Sequence, residues 1–104
     1  MSKYGLHGQL KATTGNGDQL AQILLEAANL LEKVKGCQLY VVSRDPNDYD
    51  VVWITEAWDS EADHDNSLQL QEVKDLILQA VPILDGKPAK GQQLEILGGT
   101  GLRK

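Results

Sequence analysis

Four segments of the chain have the apolar spacing and composition of β-strands. The first, "KYGLHGQLKAT" from Lys3 to Thr13, sets apolar side chains on one side and polar ones on the other. The next two are "CQLYVVSR", Cys37 to Arg44, and "YDVVWITEAW", Tyr49 to Trp58, and the turn-forming "DPND" between them predicts an antiparallel hairpin. A last short strand is predicted for "QQLEILG" near the carboxyl end.

The apolar residues between the first two strands change to a helical period. From Asp18 to Lys35 they recur at i, i+3, i+4 and i+7, with polar residues on the opposite side. Asn16 or Asp18 can cap the start of this helix. Gly36 stands where a helix often ends in a left-handed residue.

A second helical region follows the third strand. Asp59 or Ser60 can cap it, "SLQLQE" predicts a break within it, and Pro82 predicts its end, with the loop "LDGKPAKG" beyond. The order is therefore β-α-β-β-α-β. This order predicts the α+β, ferredoxin-like split βαβ fold, in which two helices lie on one face of a four-stranded antiparallel sheet. The length of 104 residues predicts one domain, residues 1–104.

Both hairpin strands carry apolar residues on both faces. Val51 and Trp53 alternate with Val52, Ile54 and Trp58. In an antiparallel sheet with one solvent-exposed face, apolar residues would instead alternate with polar ones. The helices can cover only one face. We therefore expect a homodimer in which two copies pack through the other face of the sheet.

Composition and charge exclude several classes of function. The net charge is -5 and no basic cluster exists, which argues against binding to nucleic acid or to an anionic membrane surface. The single cysteine, Cys37, forms no internal disulfide, and we expect it to be a buried, inert thiol. With no signal-peptide-like segment or metal-ligand spacing, we expect a cytoplasmic protein without a metal site.

The segment "TEAWDSEADHDNSLQLQEVKDLILQAVPIL", Thr55 to Leu84, resembles the signature of the antibiotic biosynthesis monooxygenase family. The matching features are Glu56 and Trp58, followed by "DSEAD", "EVKDLI" and "VPIL". The resemblance implies a small dimer whose sheets form an α+β barrel. It also implies either oxygenation of quinols or phenols without metal or organic cofactor, or oxidative cleavage of haem.

The haem-cleaving relatives differ from this chain at their functional positions. Ser67, Ile77 and Gly8 stand where those relatives place a tryptophan, the haem-ligating histidine and an asparagine. The resemblance therefore favours the cofactor-free oxygenases over haem cleavage.

The cofactor-free oxygenases share only part of their pocket with this chain. Trp58 matches their pocket tryptophan, and His64 stands in place of their tyrosine. Ile54 and Leu78 replace a pocket asparagine and arginine. The resemblance therefore implies a different substrate, or binding without catalysis.

Dioxygen is a triplet, so a protein without a metal or flavin can use it only when the substrate supplies the electrons. His64 is the candidate base and Trp58 the candidate stacking partner. Further candidate substrate-binding residues are His7, Tyr40, Ile54 and Leu78. His7 reaches the same cleft only if its side of the first strand faces the helices.

Each candidate also has a structural interpretation. Trp58 can be a core aromatic residue, His64 and His7 can be surface residues, and the carboxylates around His64 suit the start of a helix.

The sequence thus predicts a homodimeric, cofactor-independent monooxygenase that oxidises a small quinol or phenolic substrate with dioxygen. Two alternatives remain open. One is a non-catalytic dimer that binds a small hydrophobic molecule. The other is a haem-binding protein that uses His7 or His64 as ligand.

Overall fold

A four-stranded antiparallel sheet carries the helices on one of its faces. The computed structural model describes residues 2–86 and 91–102. Its elements are β1 (Lys3–Lys11), α1 (Gly17–Leu31), β2 (Cys37–Arg44), β3 (Val51–Trp58), α2 (Glu61–Ser67), α3 (Gln71–Ala80), a 3-10 turn (Val81–Ile83) and β4 (Gln92–Ile96). The loop predicted over residues 84–91 lies partly outside the described residues.

The strands occur in the order β2-β3-β1-β4. Adjacent strands are all antiparallel, with Leu10 opposite Val52 and Tyr40 opposite Glu56. This topology confirms the ferredoxin-like α+β fold. The hairpin predicted from "DPND" is the β2–β3 pair.

Helix α1 begins close to the predicted position but ends earlier, at Leu31 rather than Lys35. Asn16 is the N-cap residue by position, but its side chain makes no capping hydrogen bond. The carboxylate of Asp50 accepts the backbone N–H of Gly17 at 3.1 Å instead. The cap therefore comes from the β2–β3 loop, 33 residues away in sequence. Gly36 has φ +85°, the left-handed conformation expected there, but it follows a turn after the helix.

The predicted break in the second helical region is confirmed, since α2 ends at Ser67 and α3 begins at Gln71. Ser60 caps α2, and its hydroxyl accepts the backbone N–H of Asp63 at 3.1 Å. Pro82 lies in the 3-10 turn that follows α3. Ser60 is thus one of the two caps predicted for this helix.

Alternation along β3 divides its side chains between two faces. The inner face, towards the helices, includes Leu10, Val52, Ile54, Glu56 and Trp58. Trp58 and Val52 are fully buried there, and Val52 packs with Leu20 and other residues of α1 in the main core. Trp58 belongs to a second buried cluster that also contains Cys37.

The outer face of the sheet carries His7, Val41, Trp53, Thr55 and Leu94. His7 stacks on Trp53 with ring centroids 5.2 Å apart, and its Nδ1 lies 3.0 Å from the Thr55 hydroxyl. Val41 and Leu94 are 45% and 49% exposed. No described element covers this face. Among the described residues, no helix is long and apolar enough to cross a membrane.

Candidate functional site

A cavity of about 290 Å³ lies between the inner face of the sheet and the helices. Aliphatic side chains from β1, α1, α3 and the following turn form most of its wall. Four polar side chains also line it: Tyr40, Glu56, His64 and Ser67. A mainly apolar cavity with a few convergent polar groups is the common form of a small-molecule site.

Glu56 is a carboxylic acid at an inward position of a buried strand. Its side chain is 14% exposed, and its Oε1 accepts the indole N–H of Trp58 at 2.9 Å. Burial raises the pKa of Glu56 above its ordinary value, and the Trp58 hydrogen bond and the nearby His64 partly oppose that rise. The carboxyl group therefore takes up a proton more readily than an exposed glutamate does.

His64 lies on α2 and faces the same carboxylate. Its Nε2 is 3.9 Å from Glu56 Oε1, and its Nδ1 is 3.0 Å from Asp65 Oδ1. With neutral His64, an N–H at Nδ1 donates to Asp65 and leaves the lone pair on Nε2. The ring is also held by its edge contact with Trp58, at 5.7 Å between centroids, and by Tyr4 at 5.6 Å.

The backbone of α2 is fixed at the same point. The Ser67 hydroxyl donates to the carbonyl oxygen of His64 at 2.6 Å, and Ser67 is itself buried. Ser67 therefore helps to hold the turn that carries the imidazole. It is the residue at the position where haem-cleaving relatives place a tryptophan.

Tyr40 stands opposite Glu56 on the neighbouring strand. Burial raises the pKa of the Tyr40 phenol far above its ordinary value, and the charges of Glu56 and Cys37 raise it further. Tyr40 is therefore a neutral phenol at physiological pH, able to donate or accept a hydrogen bond in the cavity.

The structure brings together two of the predicted site residues, His64 and Tyr40, in the cavity wall. Trp58 is fully buried and contacts both Glu56 and His64, but it is not among the cavity-lining residues. It therefore lies behind the wall, in the position of a core aromatic residue.

Three other candidate substrate-binding residues lie outside the cavity. Ile54 packs against the main core, and Leu78 is 69% exposed on α3. His7 lies on the outer face because it pairs with Thr55, whose side chain alternates away from the helices. The side of β1 that carries His7 therefore does not face the helices, and His7 does not reach the cavity.

Glu56 was not predicted to take part in the chemistry of the site, although it is one of the residues that match the family signature. The signal was present in β3, since Glu56 falls in the inward series of Val52, Ile54 and Trp58. An acid in an otherwise apolar series is a functional candidate. Among the described residues, no cluster of three or more histidine, cysteine or acidic side chains is placed to hold a metal ion.

The arrangement can accept a proton from a bound molecule and stabilise the resulting charge. Nε2 of His64 is the accepting atom, and the Glu56 carboxylate beside it stabilises an imidazolium. The two side chains are only 15% and 14% exposed, and this partial removal from water strengthens their electrostatic interaction.

The sequence profile of the antibiotic biosynthesis monooxygenases matches residues 4–77. A crystal structure from Chloroflexus aurantiacus J-10-fl, provisionally described as an antibiotic biosynthesis monooxygenase, is 40% identical to this chain. It aligns with a TM-score of 0.88 over 98% of this chain and 100% of the other.

Structures from Pseudomonas aeruginosa and Caulobacter crescentus share the fold at lower identity. The first is 18% identical with a TM-score of 0.83, over 94% of this chain and 97% of the other. The second is 17% identical with a TM-score of 0.84, over 93% and 92%. Among curated proteins, none matches the chain significantly. The match to the family profile spans most of the sequence, and the chain belongs to the antibiotic biosynthesis monooxygenase family.

Proposed function

We propose that this protein is a cofactor-independent monooxygenase that oxidises a small quinol or phenol with dioxygen. The observation that carries the proposal is the pairing of His64 Nε2 with the Glu56 carboxylate, 3.9 Å apart, at the wall of an apolar cavity. Family membership and the 40% identical Chloroflexus structure support the class of reaction.

The reaction balances without an added reductant because the substrate supplies all the electrons. A hydroquinone and dioxygen give a hydroxyquinone and water. A ring C–H bond is replaced by a C–O bond to one oxygen atom. The other oxygen atom leaves as water with the two hydrogens lost by the substrate.

His64 starts the reaction as a general base: its Nε2 accepts the proton of the substrate hydroxyl group. The phenolate that results is a much better electron donor to dioxygen than the neutral phenol. Asp65 holds the required tautomer, and Glu56 stabilises the imidazolium. The aliphatic wall orients the ring and keeps water from the reactive intermediates.

The proposal includes a homodimer formed through the outer face of the sheet. Val41, Leu94 and the His7–Trp53 stack form an apolar surface there that no described element covers. Two such faces packed together would bury these side chains in both copies. The cavity lies on the opposite side of the sheet, so this packing leaves it intact.

A second candidate is a dimer that binds a small hydrophobic molecule without reacting with it. The aliphatic composition of the cavity wall favours it. So does the position of Trp58, which is too deeply buried to stack on a ligand.

The two functions are separated by oxygen uptake with a panel of hydroquinones and phenols, after subtraction of autoxidation. We expect uptake that depends on the protein and falls by about 10²–10⁴-fold in His64→Gln, as loss of a general base does. His7→Gln is the matched control, because it removes the other histidine from the opposite face of the sheet. Uptake no faster than autoxidation would overturn catalysis, and equal losses in both variants would overturn the site.

A further inference from the structure

The polar side chains of the cavity are confined to one end. Tyr40 and Glu56 face each other across β2 and β3, and His64 lies beside Glu56. Leu10 also lines the cavity, but it pairs with Val52, which precedes Glu56 by four residues on β3. At a rise of about 3.3 Å per residue, Leu10 lies roughly 13 Å along the sheet from the polar end.

The far end is aliphatic. Leu84 is held there by the bridge between Ala12 and Leu84, next to Leu10. Val81 lines this end from the 3-10 turn and is 56% exposed, so the wall meets solvent here, as it also does at Ile77 and Leu68, which are 45% and 39% exposed. The described residues contribute no charged side chain to this end of the wall.

The volume suits one aromatic ring with an attached chain. A benzene-sized ligand fits an apolar cavity of about 150 Å³. The cavity of about 290 Å³ leaves almost as much space again. Because the two ends lie roughly 13 Å apart and the volume is only about 290 Å³, the cavity fits a narrow, elongated molecule better than a broad fused-ring system.

The polar end selects the chemistry of the head group. A head group that is already anionic brings no proton to His64, so no imidazolium forms to offset its repulsion by the Glu56 carboxylate in a site of low dielectric constant. Oε1 of Glu56 already accepts the Trp58 N–H, and no described residue donates to Oε2. A neutral hydroxyl group can donate to Oε2 or to Nε2 of His64.

We propose that the substrate is a single-ring phenol or hydroquinone that carries an aliphatic side chain. Its hydroxyl group lies against Glu56 and His64, and its side chain extends towards Leu10, Leu84 and Val81. This inference rests on the proposed function for the reacting group. The binding of the side chain depends on the cavity alone.

The test measures binding of 4-alkylphenols from ethyl to octyl by isothermal titration calorimetry, without turnover. Burying one methylene group contributes about 0.8 kcal/mol, so each added methylene should lower the Kd by up to about fourfold. We expect the gain to stop once the chain reaches Val81 and meets solvent. Alkanoic acids of equal length should bind at least tenfold more weakly.

Two variants locate the side chain. Val81→Phe narrows the far end, and Val81→Ser makes it polar; both should weaken octylphenol several-fold and leave ethylphenol unchanged. Leu78→Phe is the matched control, since Leu78 lies on the exposed side of α3 nearby and outside the cavity. If Val81→Phe fails to fold, the serine variant still gives the answer.

The outcomes separate this inference from the proposed function. A Kd that falls with chain length supports the inference even if no phenol is turned over. Turnover of phenols with no dependence of the Kd on chain length overturns the inference and leaves the proposed function standing. Alkanoic acids that bind as tightly as the phenols overturn it as well.

Discussion

Trp58 donates its indole N–H to Oε1 of Glu56, two residues earlier on the same strand, at 2.9 Å. Both side chains lie on the inner side of β3, and Trp58 is fully buried. The tryptophan therefore holds the carboxylate in place from behind the cavity wall. The sequence-based prediction made it a stacking partner for a bound ring, whereas the structure places it outside the set of cavity-lining residues.

Trp58→Phe should destabilise the protein by about 1–3 kcal/mol, because it leaves a buried carboxylate oxygen without its donor. Unfolding in urea, followed by circular dichroism, measures the change. Glu56→Leu, which removes the acceptor, provides the second arm of a double-mutant cycle. A coupling energy near zero between the two variants would show that the hydrogen bond contributes nothing to stability.

Glu56 should make the stability of the protein fall as the pH rises. Its pKa is raised in the folded state by burial, so the protonated form favours folding. The contribution is complete below the ordinary value of 4.5 and is lost as the pH rises through the raised, folded-state pKa. The measurement compares the His64→Gln variant with the double variant His64→Gln/Glu56→Gln. The unfolding free energy of the first minus that of the second should decrease as the pH rises through that range.

The His64→Gln background is the control in that experiment, because it leaves Glu56 as the titrating member of the pair. A difference that increases with pH would mean that the folded protein prefers the charged carboxylate. The interpretation of Glu56 as a desolvated acid would then be wrong.

Asp65→Asn should change turnover only slightly, within about fivefold, because exposed charge pairs contribute about 0–1 kcal/mol. Asp65 is 64% exposed, although it contacts His64 Nδ1 at 3.0 Å. Steady-state oxygen uptake measures this effect. A loss as large as that in His64→Gln would show that the Asp65 contact is essential to the base.

Alanine at Gly36 should cost more stability than alanine at Gly15, although both glycines have nearly the same backbone conformation. Their φ angles are +85° and +86°. In each variant the left-handed backbone conformation of the new alanine lowers the stability by about 1–2 kcal/mol. A Cβ at Gly36 would also overlap the side chain of Asp63, whereas a Cβ at Gly15 has nothing within 4 Å.

Because Asp63 directly precedes His64 in α2, Gly36→Ala should also lower turnover, and Gly15→Ala should not. Thermal unfolding and oxygen uptake on the same samples make the comparison. Equal effects of the two substitutions would show that the chain around Asp63 adjusts without displacing the imidazole.

Val41→Glu should convert the proposed homodimer into a monomer, because it places a charge among the apolar side chains of the outer face. Light scattering coupled to size-exclusion chromatography measures the mass. Leu78→Glu is the control, since Leu78 is exposed on the helical side of the molecule. If both variants keep the wild-type mass, the copies do not associate through the sheet.

Local patterns predicted most of the fold. The helix period from Asp18, the cap at Ser60 and the break after Ser67 each depend on neighbours in sequence, and the structure confirms all three. The cap that Asp50 supplies to α1 was not predictable in this way. It depends on the β2–β3 loop meeting the start of α1, which only the tertiary structure determines.

The site was predicted less completely, for a related reason. His64 and Tyr40 were found from their chemistry and their elements, and both line the cavity. The side of the sheet that His7 occupies depends on strand register, and one residue of register exchanges the two faces. Leu78 was placed by analogy with a relative, whereas its position on α3 turns it to solvent.

The pairing of β1 with β3 has a consequence for synthesis of the chain. β1 lies between β3 and β4, so it leaves the ribosome before either of its partners. Val52, which faces Leu10, is synthesised about 40 residues later. At roughly 5–20 residues per second, β1 waits for at least about two seconds with its apolar side uncovered. During that interval the strand offers exposed apolar surface and unpaired backbone groups of the kind that make unfinished chains prone to aggregation.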